Sequence, residues 1–241
     1  MSAVSALILA AGRGERMRPL TDHTPKPLLK VHGKPLIVWH LEALARDGVR
    51  DVVINTAYLE DQFPQALGDG SRWGLRIRYS MEGHDHGDAL ETAGGIHKAL
   101  PHLGEVFWVV AGDVYVPGFH FDPLAAAQFA QGEDWGHMWL VPNPAHVPQG
   151  DFALSQEGRV LRKDAAPIGT PTYTYSTIGL YRPAMVKGVP PGQKAALRPY
   201  LERAIDARRL AGQVYTGPWT DVGTPQRLLE LNHSPASSQA G

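Results

Sequence analysis

The 241-residue sequence contains no cysteine. Disulfides, thiolate metal sites and cysteine nucleophiles are therefore excluded, and the composition suits a reducing cytoplasm. An excess of either charge is missing as well: 23 Lys and Arg stand against 24 Asp and Glu, a formal net charge of −1. So neutral a chain gives no electrostatic reason to expect nucleic acid or a membrane surface as a partner, and any anion site has to be local. Long apolar runs are absent too. No stretch reaches the roughly 18 apolar residues a membrane span needs, and the opening MSAVSALILAAGRGERM lacks both the basic start and the length of a secretory signal, so it reads as a buried first strand. The 11 histidines show no HExxH spacing, and no Gly-x-Ser-x-Gly elbow supports serine hydrolysis.

What is present is a core-forming chain, 43% hydrophobic. That suffices for one domain over residues 1–231, followed by a small, polar tail over 232–241 that is expected to be disordered. Residues 6–10, 52–55, 75–79 and 106–110 predict strands, because they are brief, β-branched or aromatic, and bounded by turn residues. Between them, 35–47, 60–67 and 91–100 carry helical spacing, with Pro35 in a first turn where its missing N–H costs nothing. This βαβαβαβ order implies an α/β fold with a mostly parallel sheet covered by helices on both faces, and ligands beyond the carboxyl ends of the strands. The second half is less regular: a helix over 124–131, a strand over 137–141, a hairpin from 151–154 and 159–161, a partly exposed strand over 173–181, a helix over 195–210 and a strand over 213–216. The six tryptophans are scattered and expected in the core or in helix–sheet seams.

The first strand runs into Ala11-Gly12-Arg13-Gly14-Glu15-Arg16-Met17-Arg18, and the loop ends in Pro25-Lys26-Pro27. Two glycines and a small alanine at a strand exit let backbone N–H groups face an oxyanion with no Cβ in the way. The dinucleotide fingerprint fails, because Met17 stands where its third glycine belongs, and the Walker Gly-Lys-Ser/Thr is missing. A glycine-rich turn alone also fits a plain structural turn. Four cations in one proline-stiffened loop point further; Arg13 and Arg18 also fit solvated surface charges, whereas Arg16 and Lys26 are read as anion ligands.

The run LILAAGRGERMRPLTDHTPKPLLKVHGKPLI resembles the N-terminal signature of the sugar-1-phosphate nucleotidyltransferases. The resemblance continues through GDGSRWGLRIRY (68–79), ETAGGI (91–96), VAGDV (110–114) and WTDVGT (219–224). Within the family, ETAGGI and Gly150-Asp151-Phe152 bring the chain nearest to the N-acetylmuramate-1-phosphate uridylyltransferases of cell-wall recycling. The resemblance implies a three-layer Rossmann-like nucleotidyltransferase fold with a mostly parallel central mixed sheet. It implies an enzyme that transfers a nucleotidyl group, UMP from UTP, to a sugar 1-phosphate with release of pyrophosphate. Two alternatives stay open: guanylyl or thymidylyl transfer to mannose or glucose 1-phosphate, and a catalytically silent nucleotide-sugar sensor, which would not need a metal pair.

Carried over position by position, the resemblance implies that Asp113 and Asp221 hold Mg²⁺, although each alone would also fit a turn aspartate. Arg16 would steady the triphosphate and pyrophosphate, Lys26 the α-phosphate, and Ala11, Gly12, Arg13 and Gly14 would bind the nucleotide. Gly94 and Gly95 are assigned to the base, against the alternative of a plain loop before a helix. Ala111, which stands where relatives often have Asn, joins Asp151 and Thr177 as the sugar-side candidates. His84-Asp85-His86 reads as a mobile loop over the nucleotide rather than a metal site. A monomer and a small homo-oligomer remain equally compatible with the sequence.

Overall fold

The computed structural model describes residues 4–234. Strand β1 (Ser5–Leu9) leads through the glycine-bearing loop to a short hairpin of β2 (Lys30–Val31) and β3 (Lys34–Pro35). Then come α1 (Leu36–Arg46), β4 (Asp51–Thr56), α2 (Gln62–Leu67), β5 (Arg76–Met81), the short α3 (Glu82–His86), α4 (Glu91–Ala99) and β6 (Phe107–Ala111). The second half contributes β7 (Val114–Tyr115), α5 (Pro123–Gln131), β8 (Gly136–Val141), β9 (Phe152–Leu154) and β10 (Val160–Leu161). It closes with β11 (Thr172–Tyr181), α6 (Arg198–Asp206), β12 (Leu210–Val214), β13 (Thr220–Asp221) and α7 (Pro225–His233).

The main sheet runs β5-β4-β1-β6-β11-β8-β12, and the first part of β11 also pairs with β9, which carries β10. Neighbours β5, β4, β1 and β6 are parallel, as are β8 and β12. Strand β11 runs against its neighbours β6, β8 and β9, and β10 runs against β9, so the expected mostly parallel mixed sheet is what forms. Side-chain alternation builds the three layers. Along β1, Ala6 and Ile8 enter one core cluster with Ile37, Leu41 and Leu44 of α1; Leu7 enters the other with Ala93 and Ile96 of α4. Strand β6 does the same, with Trp108 and Val110 on one face and Phe107 and Val109 on the other. Trp108 meets Phe119, Phe121 and Trp139 at 5.0–6.2 Å, and Trp108 and Trp139 are both buried in the core, one of the two places expected for the tryptophans.

Register decides where the site lies. Leu9 pairs with Asn55 on one side and with Ala111 on the other, so the carboxyl ends of β1, β4 and β6 finish together. A third core cluster of Met17, Val31, Leu36, Tyr115, Val222, Leu228 and Leu231 ties the glycine loop and α7 to that same end.

Several expectations need correction. Residues 195–210 do not form one helix: α6 ends at Asp206, Arg208 takes a left-handed φ of 55°, and β12 starts at Leu210, earlier than the strand expected at 213. Residues 82–86 form a helical turn rather than a loop, because the buried Glu60 carboxylate accepts from Gly83 N at 3.2 Å and His84 N at 2.5 Å. Pro35 stands one residue ahead of α1 and belongs to the β2–β3 ladder. Helix α7 takes in residues 232 and 233, the first of the expected tail; 235–241 lie outside the described residues.

Candidate active site

A cavity of about 770 Å³ opens at the carboxyl ends of β1 and β6. Its wall includes Ala11, Gly12, Arg13, Gly14, Arg16, Lys26, Ala111, Asp113, Asp151 and Thr177, ten positions singled out in the sequence.

The glycine loop is held at both ends. Ala10 N–H donates to Asn55 O at 3.1 Å and to Asn55 Oδ1 at 2.9 Å, and Thr21 Oγ1 donates to Gly14 O at 2.9 Å. Gly14 has φ 63°, and a Cβ there would stand 3.1 Å from both Lys26 Cβ and Thr21 Cγ2, so backbone and space both require glycine. Arg16 lies in a 3-10 turn, Glu15–Met17, whose Met17 is fully buried and anchors it. Arg13 is tied to Asp88 at 3.2 Å, and Asp88 also accepts from Lys194 at 2.7 Å. Lys194, the Ala89 backbone N–H and Arg13 hold the Asp88 carboxyl well below the usual range.

Lys26 is buried in a second 3-10 turn, and its Nζ donates to Asp113 Oδ2 at 2.6 Å. Asp113 follows β6 after Gly112, whose N–H donates to Leu9 O at 2.8 Å; a Cβ on Gly112 would press on Leu9 O, Ile8 and Pro27 at 3.2–3.3 Å. Two further contacts fix this turn. Val222 N–H donates to Asp113 O at 3.0 Å, and His40 Nε2 lies 2.9 Å from Val114 O, a geometry that makes Nε2 the protonated nitrogen. Burial lowers the His40 pKa to about 4, against a backbone hydrogen bond that raises it, so the ring is neutral at physiological pH.

Asp221 pairs in register with Val114, the residue after Asp113, across the β7–β13 ladder, but unlike Asp113 it is not among the residues that line the cavity. Its carboxylate is engaged: Arg227 Nη1 lies 2.5 and 2.6 Å from its two oxygens, and His146 Nε2 lies 3.0 Å from Oδ1. On the far wall, Asp151 Oδ2 accepts from Tyr175 N at 2.9 Å. Thr177 sits at a register break of β11 with φ 64°, pinned by Ser176, whose Oγ donates to Trp139 O at 2.6 Å and whose O accepts from Trp219 Nε1 at 3.0 Å. A left-handed threonine is strained, and such strain collects at ligand sites.

Gly94 and Gly95 do not line the cavity. Both are buried in the first turns of α4, where a Cβ on Gly95 would come within 2.6 Å of Asn55 Nδ2 and Glu82 Oε1, and one on Gly94 within 2.7 Å of Gln193 O. They are glycines for packing. Their neighbours Glu91 and Thr92 line the cavity instead, Glu91 with a left-handed φ of 58°. Behind them the fully buried Glu82 accepts from Asn55 Nδ2 at 2.8 Å and Leu90 N at 2.7 Å, and burial raises its pKa. Sequence reasoning also missed Phe152, Tyr175, Leu197 and Arg198 as wall residues. Only Phe152 carried a signal, as neighbour of Asp151 in the Gly-Asp-Phe motif.

Residues 5–238 match the family model for nucleotidyl transferases. This chain belongs to the nucleotidyl transferase family. The N-acetylmuramate α-1-phosphate uridylyltransferase of Neisseria meningitidis serogroup B is 49% identical to it over 231 residues, 94% of this chain and 96% of that protein. Its namesake in Caulobacter vibrioides is 34% identical over 93% of each. Among solved structures, a Bacillus anthracis protein described as a glucose-1-phosphate thymidylyltransferase, in complex with sucrose, matches with a TM-score of 0.79. It covers 95% of this chain and 94% of its own at 22% identity, a likeness of fold. The family and the fold implied by the strand–loop signature are thus borne out, and the chain is an enzyme of nucleotidyl transfer. Among the described residues of this nucleotidyl transferase, no helix is long and apolar enough to cross a membrane.

Proposed function

We propose that this nucleotidyl transferase couples UTP to N-acetylmuramate 1-phosphate, forming a nucleotide sugar and releasing pyrophosphate. The observation that carries the chemistry is the buried Lys26 paired with Asp113 beside the glycine loop, in a cavity of about 770 Å³ that suits small-molecule ligands. The choice of substrates rests on the 49% likeness to the Neisseria uridylyltransferase along nearly the full length of both chains.

The attacking sugar phosphate has a second pKa of about 6 and is largely dianionic at neutral pH, so no side chain has to remove a proton. Its oxygen bonds to the α-phosphorus while the α–β bridging bond breaks in line and pyrophosphate leaves. The obstacle is repulsion between two polyanions, which positioning and fixed positive charge relieve. In this reading Gly12 and Gly14 present backbone N–H groups, Arg16 steadies the departing pyrophosphate, and Lys26 follows the charge growing on the α-phosphate.

The residues present fit Mg²⁺. Among the described residues no cluster of three or more His, Cys, Asp or Glu could hold an ion on its own, whereas Mg²⁺ commonly takes one or two carboxylates and fills its octahedron with phosphates and water. Asp113 and Asp221 would supply those carboxylates. Bound there, the ion supplies Lewis-acid charge neutralisation and a template for both phosphates.

The test is a matrix of the four nucleoside triphosphates against several sugar 1-phosphates, read as pyrophosphate release. UTP with N-acetylmuramate 1-phosphate should give the highest kcat/KM; activity confined to GTP with mannose 1-phosphate would overturn the substrates and spare the mechanism.

A further inference from the structure

The cavity wall contains four basic residues, and three of them, Arg13, Arg16 and Lys26, come from the glycine loop and its continuation. The fourth is Arg198, at the first position of α6, on the wall formed with Asp151, Phe152, Tyr175 and Leu201. Its guanidinium lies 4.4 Å over the Phe152 ring, and its Nε donates to Glu202 Oε1 at 2.7 Å. These two contacts restrain the group and occupy its Nε. Its outer edge is nearly uncommitted: Nη1 reaches Asp151 O only at 3.5 Å, and no carboxylate among the described residues accepts from Nη1 or Nη2. A guanidinium that rests on an aromatic ring in a cavity wall and keeps both Nη groups free of carboxylates can offer a carboxylate ligand its fork of N–H donors.

We propose that Arg198 is the specificity-determining residue of this enzyme and binds the carboxylate of an acidic sugar 1-phosphate, the lactyl group of N-acetylmuramate 1-phosphate. The inference rests on the substrate reading given above. N-Acetylglucosamine 1-phosphate has the same sugar ring without the lactyl ether, so a cation on the sugar-side wall has a partner in the first compound and none in the second. The phosphate has cations of its own in the glycine loop that follows β1, with Lys26 paired to Asp113, whereas Arg198 stands on Phe152 of β9, beyond β6 and β11 in the strand order. The exposed pair with Glu202 is of the kind that contributes little to stability, so Arg198 can be replaced without unfolding α6.

The test compares the wild type with Arg198→Ala and Arg198→Lys at saturating UTP, with N-acetylmuramate and N-acetylglucosamine 1-phosphates as substrates or competitors. Arg198→Ala is expected to raise KM for the acidic sugar on the order of 10–100-fold, the loss typical of a charge-assisted hydrogen bond. Its kcat and its KM for UTP should stay within about twofold, since the contact lies away from the reacting phosphorus. Arg198→Lys, which keeps the charge and loses the fork, should fall between. An unchanged KM for the acidic sugar in Arg198→Ala, or a rise accompanied by equal losses in kcat and UTP affinity, overturns the assignment while leaving the uridylyltransferase reading intact. A wild type that ignores N-acetylmuramate 1-phosphate and uses another sugar 1-phosphate overturns both.

Discussion

Lys26 and Asp113 hold each other at 2.6 Å, in a position where each is also the group that phosphate chemistry calls for. Lys26→Ala and Asp113→Ala should each lower turnover by at least about 10²–10³-fold, with circular dichroism unchanged, as read by steady-state pyrophosphate release. His40 acts one step back, holding the carbonyl of Val114 next to Asp113, and its burial has a signature in pH. Its folded pKa of about 4 lies below its ordinary 6.5, so the unfolded chain takes up the proton first. Its contribution to stability is therefore full above pH 6.5, is lost as pH falls from 6.5 towards 4, and levels off below that, at a cost on the order of 3 kcal/mol. Urea midpoints at pH 7.5 and 5 should differ more in the wild type than in His40→Gln.

At the scale of elements, Gly95 of α4 and Gly12 of the loop after β1 are glycines for opposite reasons. Gly95→Ala should destabilise by about 1–3 kcal/mol despite alanine's better helix propensity, because the new methyl meets Asn55 and Glu82 at 2.6 Å. Gly12→Ala meets nothing within 4 Å and should leave Tm unchanged, yet raise KM for UTP by about 10-fold or more, since in the proposed reading the methyl stands where the backbone approaches phosphate. Thermal unfolding and UTP saturation curves on both variants separate the two roles. The contrast also marks what could be read from sequence. In the loop after β1 the glycines, prolines and cations of a phosphate site are contiguous, so strand exit and chemistry were legible together. The need for Gly95 comes from two side chains on other elements, and nothing adjacent to it says so, so the sequence alone points to a base contact instead. Arg198 left no local sign either: in sequence it is an ordinary helix-surface arginine with a glutamate four residues on. The end of α6 was hidden by Arg208, a residue of good helix propensity that adopts a left-handed backbone to turn the chain into β12.

Across the whole molecule, the parallel strands deliver the glycine loop and Asp113, while β11, antiparallel to β6 beside it, brings Tyr175 and Thr177 to the cavity wall. The C-terminal part closes the arrangement through β13 and α7, and there the carboxylate of Asp221 is already matched with Arg227. In the proposed reading, a cation that takes Asp221 as a ligand would displace that guanidinium. Arg227→Leu should therefore lower the Mg²⁺ concentration for half-maximal rate; a higher requirement in a metal titration would show that Arg227 assists the metal site instead of competing for it.

The pairing of Val114 with Asp221 joins the middle of the chain to a point close to its far end. During synthesis the two acids cannot meet until residue 221 has cleared the ribosome, whatever has already folded behind it. In the proposed reading, fragments that stop short of residue 221 keep the glycine loop and lack Asp221, so they are expected to bind nucleotide without turning it over.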